Sequence, residues 1–416
     1  MINSAGLLRS ASSAHAIGLC AYNTAMRSLT RWCIVLGLLS SVAHAAEPTQ
    51  QLLLYEPDIT YVGSFRIPNS GSAFSYGGMG LAVSADGESL YVGGHVYNES
   101  LGRVAIPDPI GGTATLIKAP VRIPGSVGSG GGSDTELSGA LVYNGRLIIQ
   151  KRIYYDTNGG GPTHAVGTTG ISGFSPFRRL ANINSQQFAN GYMGIIPPEW
   201  RSLLGGPAFT GNSVMSINSL CSNGPSFFVF NPDDVNMKTP IPSIRLMHFP
   251  LSNPLASPDS ANDLFSRADQ YNAGMVFPSG TRSVLFWSRH GYGRPTYKQN
   301  DGGCGGESGE GAAPYRRQIT AFDANDLLAV KNGTKQPHDI RPYAWWVVPG
   351  PSDSCGNFRN SGLAYDPSSR RIYAAFGYGE SPKIHVWRVA GTPAAPAAPA
   401  PPDLTAPSAP TNVRVQ

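Results

Sequence analysis

Four short segments of this sequence gather the side chains that could do chemistry. They are Gly94-His95-Val96-Tyr97, Lys151-Arg152-Ile153-Tyr154-Tyr155-Asp156, Ser288-Arg289-His290-Gly291-Tyr292 and Phe376-Gly377-Tyr378-Gly379-Glu380. Elimination across a uronic acid needs a cation to neutralise the substrate carboxylate and a base for the C5 proton. Arg289, with Lys151 and Arg152, supplies the first; His95, His290 and Tyr155 supply the second. Tyr97, Tyr154, Tyr292 and Tyr378 would line the sugar, with Asp156 and Glu136 as polar partners. This set predicts a polysaccharide lyase. Two other readings stand beside it. A glycoside hydrolase needs two carboxylates about 5–9.5 Å apart, for which Asp134, Glu136, Asp156 and Glu380 are the candidates. A non-catalytic secreted binding or adhesion module would use the same aromatics for stacking alone. No Gly-x-Ser-x-Gly stands on a strand–helix turn, which removes a serine hydrolase of that type.

Each segment follows an apolar strand, and those strands recur. Four stretches share one pattern: Gly80-LAVSADGES-LYV, Gly139-ALVYNGR-LII, Gly274-MVFPSGTRS-VLF and Gly362-LAYDPSSRR-IYA. Each is a glycine, an apolar strand, a turn of Asp, Asn, Ser, Gly or Pro, and a second apolar strand. A weaker fifth copy is read near Ser213, with Ser226-Phe-Phe-Val-Phe as its second strand. Hairpins repeated at such spacing, with two more strands following, predict β-propeller blades. Five four-stranded blades are expected over roughly residues 55–390, with six or seven as alternatives and a β-sandwich pair as the structural rival. The last copy has a third strand, Lys383-IHVWRV, and no fourth. Tyr61-VGSFRI precedes the first blade without a partner, so it is expected to complete the last one and close the ring.

Composition agrees with strands and turns. Gly (50) and Pro (35) make up about a fifth of the 416 residues, and only 14% are charged, where about 25% is usual. Hydrophobic residues are 41% and aromatics 10%, enough for a core and unlike a disordered chain. From Met26, a basic start with Arg27 and Arg31, an apolar run Trp32–Leu39 and Ala43-His44-Ala45 have the layout of a secretory signal. A leader over 1–45, true start Met26 and cleavage near Ala45, is expected, sending the protein outside the cell or to the periplasm. That leader holds three arginines and no acids, so the mature chain keeps 28 basic against 26 acidic residues, a net charge of +2. No basic patch argues for nucleic acid.

The expected layout is a propeller over 46–390, a Pro/Ala linker over 391–404, and a tail over 405–416. That tail, Thr405-APSAPTNVRVQ, resembles the opening strand of a fibronectin type III domain. Through its blade pattern, the body of the chain resembles secreted bacterial β-propeller proteins, a likeness that implies the fold and transfers no catalytic residue. The mature cysteines are Cys221, Cys304 and Cys355. Cys304 and Cys355, in Gly/Ser-rich loops, are the expected disulfide, with Cys221 left as a small hydrophobe. No cofactor is expected; structural calcium is conceivable without a motif to support it. The expected partner is a polysaccharide or other extracellular ligand, bound by a monomer with no membrane attachment after cleavage.

Overall fold

The computed structural model describes residues 47–391, except 69–70, 72, 96–97, 125–134, 154, 158, 214–221, 268–273, 298–309, 352–359 and 377–381. The expected leader, the Pro/Ala linker after Gly391, the fibronectin-like tail and all three mature cysteines lie outside the described residues, as do Tyr97, Asp134, Tyr154, Tyr378 and Glu380.

The protein is an all-β, five-bladed propeller. The chain begins with β1 (Ile59–Arg66). The first blade is β2 (Ala82–Val83), β3 (Ser89–Gly93), β4 (Ser100–Ala105) and β5 (Leu116–Arg122). The second is β6 (Thr135–Tyr143), β7 (Arg146–Ile153) and β8 (His164–Thr168). Its outer position is taken by an irregular segment that bonds to β8 through Ser175 N to Val166 O and Arg178 N to His164 O. The third is β9 (Tyr192–Ile195), β10 (Ala208–Gly211), β11 (Phe227–Phe230) and β12 (Ser243–Met247), with helix α1 (Pro198–Leu204) between β9 and β10. The fourth is β13 (Gly274–Val276), β14 (Ser283–Gly291), β17 (Tyr315–Asp323) and β18 (Ala344–Val347). It carries a small ribbon of β15 (Thr296–Tyr297) and β16 (Glu310–Gly311), and helix α2 (Ala324–Lys331) before β18. The fifth is β19 (Asn360–Asp366), β20 (Arg371–Phe376) and β21 (Lys383–Val389).

β1 supplies the fourth strand of that last blade. It pairs antiparallel with β21 from Ile59 opposite Val389 to Arg66 opposite Lys383. The N-terminal strand thus closes the ring as the sequence predicts, and β21 keeps no open edge. One expectation is corrected. The weak copy near Ser213 is not the start of a blade, because the inner strand of the third blade is β9. Ser226-Phe-Phe-Val-Phe leads into β11, the third strand of that blade and not its second.

Inner strands touch in the ring order β2, β6, β9, β13, β19 and back to β2. The repeated glycines make that closeness possible. A Cβ on Gly274 would stand 2.4 Å from the Leu363 Cβ of the next blade, and one on Gly362 would stand 2.4 Å from the Gly78 carbonyl oxygen. A turn shows the other role of glycine. Asn144 and Gly145 join β6 to β7 with φ of 45° and 70°, the two positive values a two-residue hairpin of this kind needs.

Between blades the sheets pack through large apolar side chains. Trp287 and Trp387 meet edge to face with centroids 5.0 Å apart, and both are within 1% of full burial. Trp200, on α1, is fully buried and donates from Nε1 to the Thr281 carbonyl at 3.1 Å. In β18 the two tryptophans alternate: Trp346 is buried and Trp345 is 36% exposed, the period of two that a strand imposes.

Candidate functional site

In an antiparallel blade the loop after the second strand and the loop into the first strand share one end of the ring. The residues at that end divide into two groups on separate blades.

The first group joins the first two blades. Glu99 immediately precedes β4. Its backbone is held in the left-handed region at φ 38°, rarely occupied by a side chain other than Asn or Asp. Its side chain is enclosed, 2% exposed. Burial raises its pKa to about 7, against the opposing influence of the Thr135 hydroxyl, Lys151 and Arg122, and with Glu136 adding repulsion. Lys151, near the end of β7, is half-buried. Its ammonium sits 4.2 Å from the centre of the Phe177 ring. Burial lowers its pKa, and the Glu99 carboxylate works against that fall.

Arg152, the next residue along, does different work. It is 1% exposed. Its Nε donates to Glu136 Oε2 at 2.8 Å, and its Nη1 donates to both the carbonyl and the hydroxyl of Ser213 at 2.8 Å. Nη2 lies 3.3 Å from Met79 Sδ. One guanidinium therefore ties the second blade to the third and the first. Glu136 stands directly opposite Arg152 in the β6–β7 ladder, so the ion pair follows from register. Tyr155, just beyond β7, is 55% exposed. Asp156 follows it, and its backbone carbonyl accepts from Gln187 Nε2 at 3.2 Å.

The second group belongs to the fourth blade, whose ring neighbours are the third and fifth. His290 is 1% exposed and its Nε2 lies 2.8 Å from the Asn262 carbonyl oxygen. The Arg289 guanidinium lies 3.5 Å from the centre of the Tyr315 ring. Tyr292 is 36% exposed, with the Arg316 guanidinium 4.7 Å from its centre.

His95 lies in the first blade, its ring 5.5 Å from that of Tyr76. The two histidines stand differently in their blades: His95 lies beyond the end of β3, whereas His290 lies within β14, opposite Arg316 of β17. Among the described residues, the predicted set thus brings together Glu136, Lys151 and Arg152, and leaves Arg289, His290 and Tyr292 on another blade.

Glu99 is the residue that sequence reasoning missed. It stands inside Asn98-Glu99-Ser100, which reads as a glycosylation pattern. The available signal was its place between the segment containing His95 and a strand start, on the loop that carries the other candidates. Among the described residues no group of three or more potential metal ligands gathers, and no helix is long and apolar enough to cross a membrane.

No protein-family model and no curated protein sequence matches the chain. Among solved structures it is similar to one from the GH130 family of mannoside phosphorylases, a study of glycoside hydrolases that target β-1,2 mannosidic linkages in Candida mannan. That likeness has 12% identity over 83% of this chain and 98% of the other, with a TM-score of 0.43. A glycosyl hydrolase from Bacteroides ovatus aligns at 12% identity over 83% and 98%, TM-score 0.45. An exo-1,5-α-L-arabinanase from a bovine ruminal metagenomic library aligns at 10% over 76% and 98%, TM-score 0.37.

Proposed function

We propose that this chain is a secreted carbohydrate-directed enzyme that hydrolyses glycosidic bonds, with Glu99 as the proton donor. The observation that carries the reading is an enclosed carboxyl group at this end of the propeller, within electrostatic reach of Lys151 and of a second carboxylate, Glu136. A carboxyl with a pKa of about 7 still holds its proton near neutral pH, as a general acid must. Glu136 has the opposite surroundings, ion-paired with Arg152 at 2.8 Å. Two carboxyl groups in contrasting environments are the pair that glycoside hydrolysis uses.

In this scheme Glu99 gives its proton to the leaving glycosidic oxygen as the C–O bond breaks and its electron pair goes to that oxygen. The Glu136 carboxylate faces the positive charge that develops on the sugar. Water supplies the oxygen of the new bond and a proton that restores the acid. Lys151 favours the Glu99 anion formed midway. Since Glu99 is covered, a docking glycan must expose it. The elimination reading draws less support. Arg152 is engaged by Glu136 and Ser213, and His290 by Asn262, so two of its main candidates are held in place by the fold.

The test is product analysis on a panel of neutral and acidic polysaccharides. New reducing ends without absorbance from an unsaturated uronate are expected, and Glu99→Gln should lower turnover by about 100-fold or more. Unsaturated products would mean elimination. Retention of glycan without any product would mean a binding module.

A further inference from the structure

We propose that Trp345, Tyr292 and Arg316 form an accessory binding site for neutral sugars on the rim of the fourth blade, separate from the Glu99 group. The site stands on its own geometry and does not depend on the chain being a hydrolase. Trp345 and Tyr292 are each 36% exposed. The Arg316 guanidinium lies 4.1 Å from the Trp345 ring centre and 4.7 Å from that of Tyr292. Arg316 is itself fixed: Nη2 donates to Asp263 Oδ1 at 2.7 Å and Nε to Gln318 Oε1 at 2.8 Å. Both rings are therefore anchored by a side chain that has little freedom left to lose. Binding on such a surface costs little ordering entropy.

The chemistry selects the ligand. A pyranose offers one face of C–H groups, which packs on an aromatic ring, and a rim of hydroxyls, which pair with a carboxylate and a guanidinium lying side by side. Asp263, whose side chain is 55% exposed, offers that carboxylate. Its ion pair with Arg316 offsets the arginine charge, so the site has no net attraction for an acidic glycan. A protein partner fits poorly. Two rings each one-third exposed, with Val347 at 43% beside them on β18, fall far short of the roughly 800 Å² per side of a stable protein interface.

Trp345 and Val347 lie on the outer strand of their blade, opposite Thr320 and Gln318 of β17. The inner strand of the fourth blade packs on those of the third and fifth. A long glycan held here would be retained on the protein without occupying Glu99.

The experiment is electrophoresis of the full chain through native gels containing a soluble mannan, a β-glucan, an arabinan or polygalacturonate. Slower migration in at least one neutral-glycan gel is expected. Trp345→Ala should weaken that binding about three- to tenfold, the worth of one aromatic contact, and Tyr292→Ala should do likewise. Circular dichroism checks that each variant is folded. The proposal is overturned if no neutral glycan slows the protein, if polygalacturonate alone does, or if folded Trp345→Ala and Tyr292→Ala bind as the wild type does.

Discussion

Replacing Glu99 by glutamine should make the protein more stable as pH rises relative to wild type, while removing its catalysis. The side chain keeps its shape and loses its ability to ionise. In the unfolded chain the carboxyl has its ordinary value of 4.5; in the fold it is raised to about 7, chiefly by burial. The folded protein therefore holds that proton more tightly than the unfolded chain. The resulting stabilisation is complete below pH 4.5, falls between 4.5 and about 7, and is gone above. At about 1.4 kcal/mol per pH unit, the interval is worth roughly 3 kcal/mol. Glutamine makes no such contribution at any pH. The stability difference, variant minus wild type, should climb by roughly that amount from pH 4.5 to pH 8, a rise of several degrees in relative melting temperature for a domain of this size. Denaturant melts at pH 4.5, 6 and 8 measure it. Wild-type turnover should decline above pH 7 as the acid loses its proton. A difference that stays flat from pH 4.5 to pH 8 would show that Glu99 does not titrate there, and its role as acid would fall with it.

Removal of Arg152 should cost about 3–5 kcal/mol, because Arg152→Ala leaves the Glu136 carboxylate buried without its partner. The double variant with Glu136→Gln should recover part of that loss in urea melts. His248 is buried between Phe188, at 4.2 Å, and Phe228, at 6.3 Å. Burial first, then Arg245 and His338, lowers its pKa to about 4 from 6.5. Its neutral form therefore supports the fold above pH 6.5, and that support is lost as pH falls through 4. His248→Phe should escape this loss, of roughly 3 kcal/mol, read as a smaller drop in melting temperature between pH 7 and pH 4. Gly274→Ala should destabilise by about 1–3 kcal/mol in the same melts, since its new Cβ meets Leu363 at 2.4 Å across the ring.

The fold was legible where local pattern and topology coincide. Four hairpins carry a glycine, two apolar strands and a tight turn, and each became the two innermost strands of a blade. β1 could be matched to β21 because one strand lacked a partner before the repeats and one blade lacked a strand after them. The third blade hid for a physical reason. Its inner strand, Tyr192-Met193-Gly194-Ile195, is joined to β10 by α1 instead of a short turn. The helix starts with proline at its first turn, Pro197-Pro198-Glu199-Trp200, but nothing local says that a helix lies inside a hairpin. The site was less legible still. Burial and electrostatics set the pKa of Glu99, and both come from residues distant in sequence, Thr135, Glu136 and Lys151.

Lys151 and Arg152 show why residue type at a loop does not settle role. They are neighbours on one strand, so their side chains leave opposite faces of the sheet. On one face Arg152 meets Glu136, Ser213 and Met79, and becomes part of the joint between three blades. On the other Lys151 comes within electrostatic reach of Glu99. A shift of register by one residue in β7 would exchange the two, placing a lysine against Glu136. Lysine is a compact charge without the planar fork of arginine, and it could not reach Glu136 and Ser213 together with the same geometry. With the guanidinium committed to the joint, the Glu99 carboxyl, within electrostatic reach of Lys151, is the group the proposed mechanism uses for proton transfer.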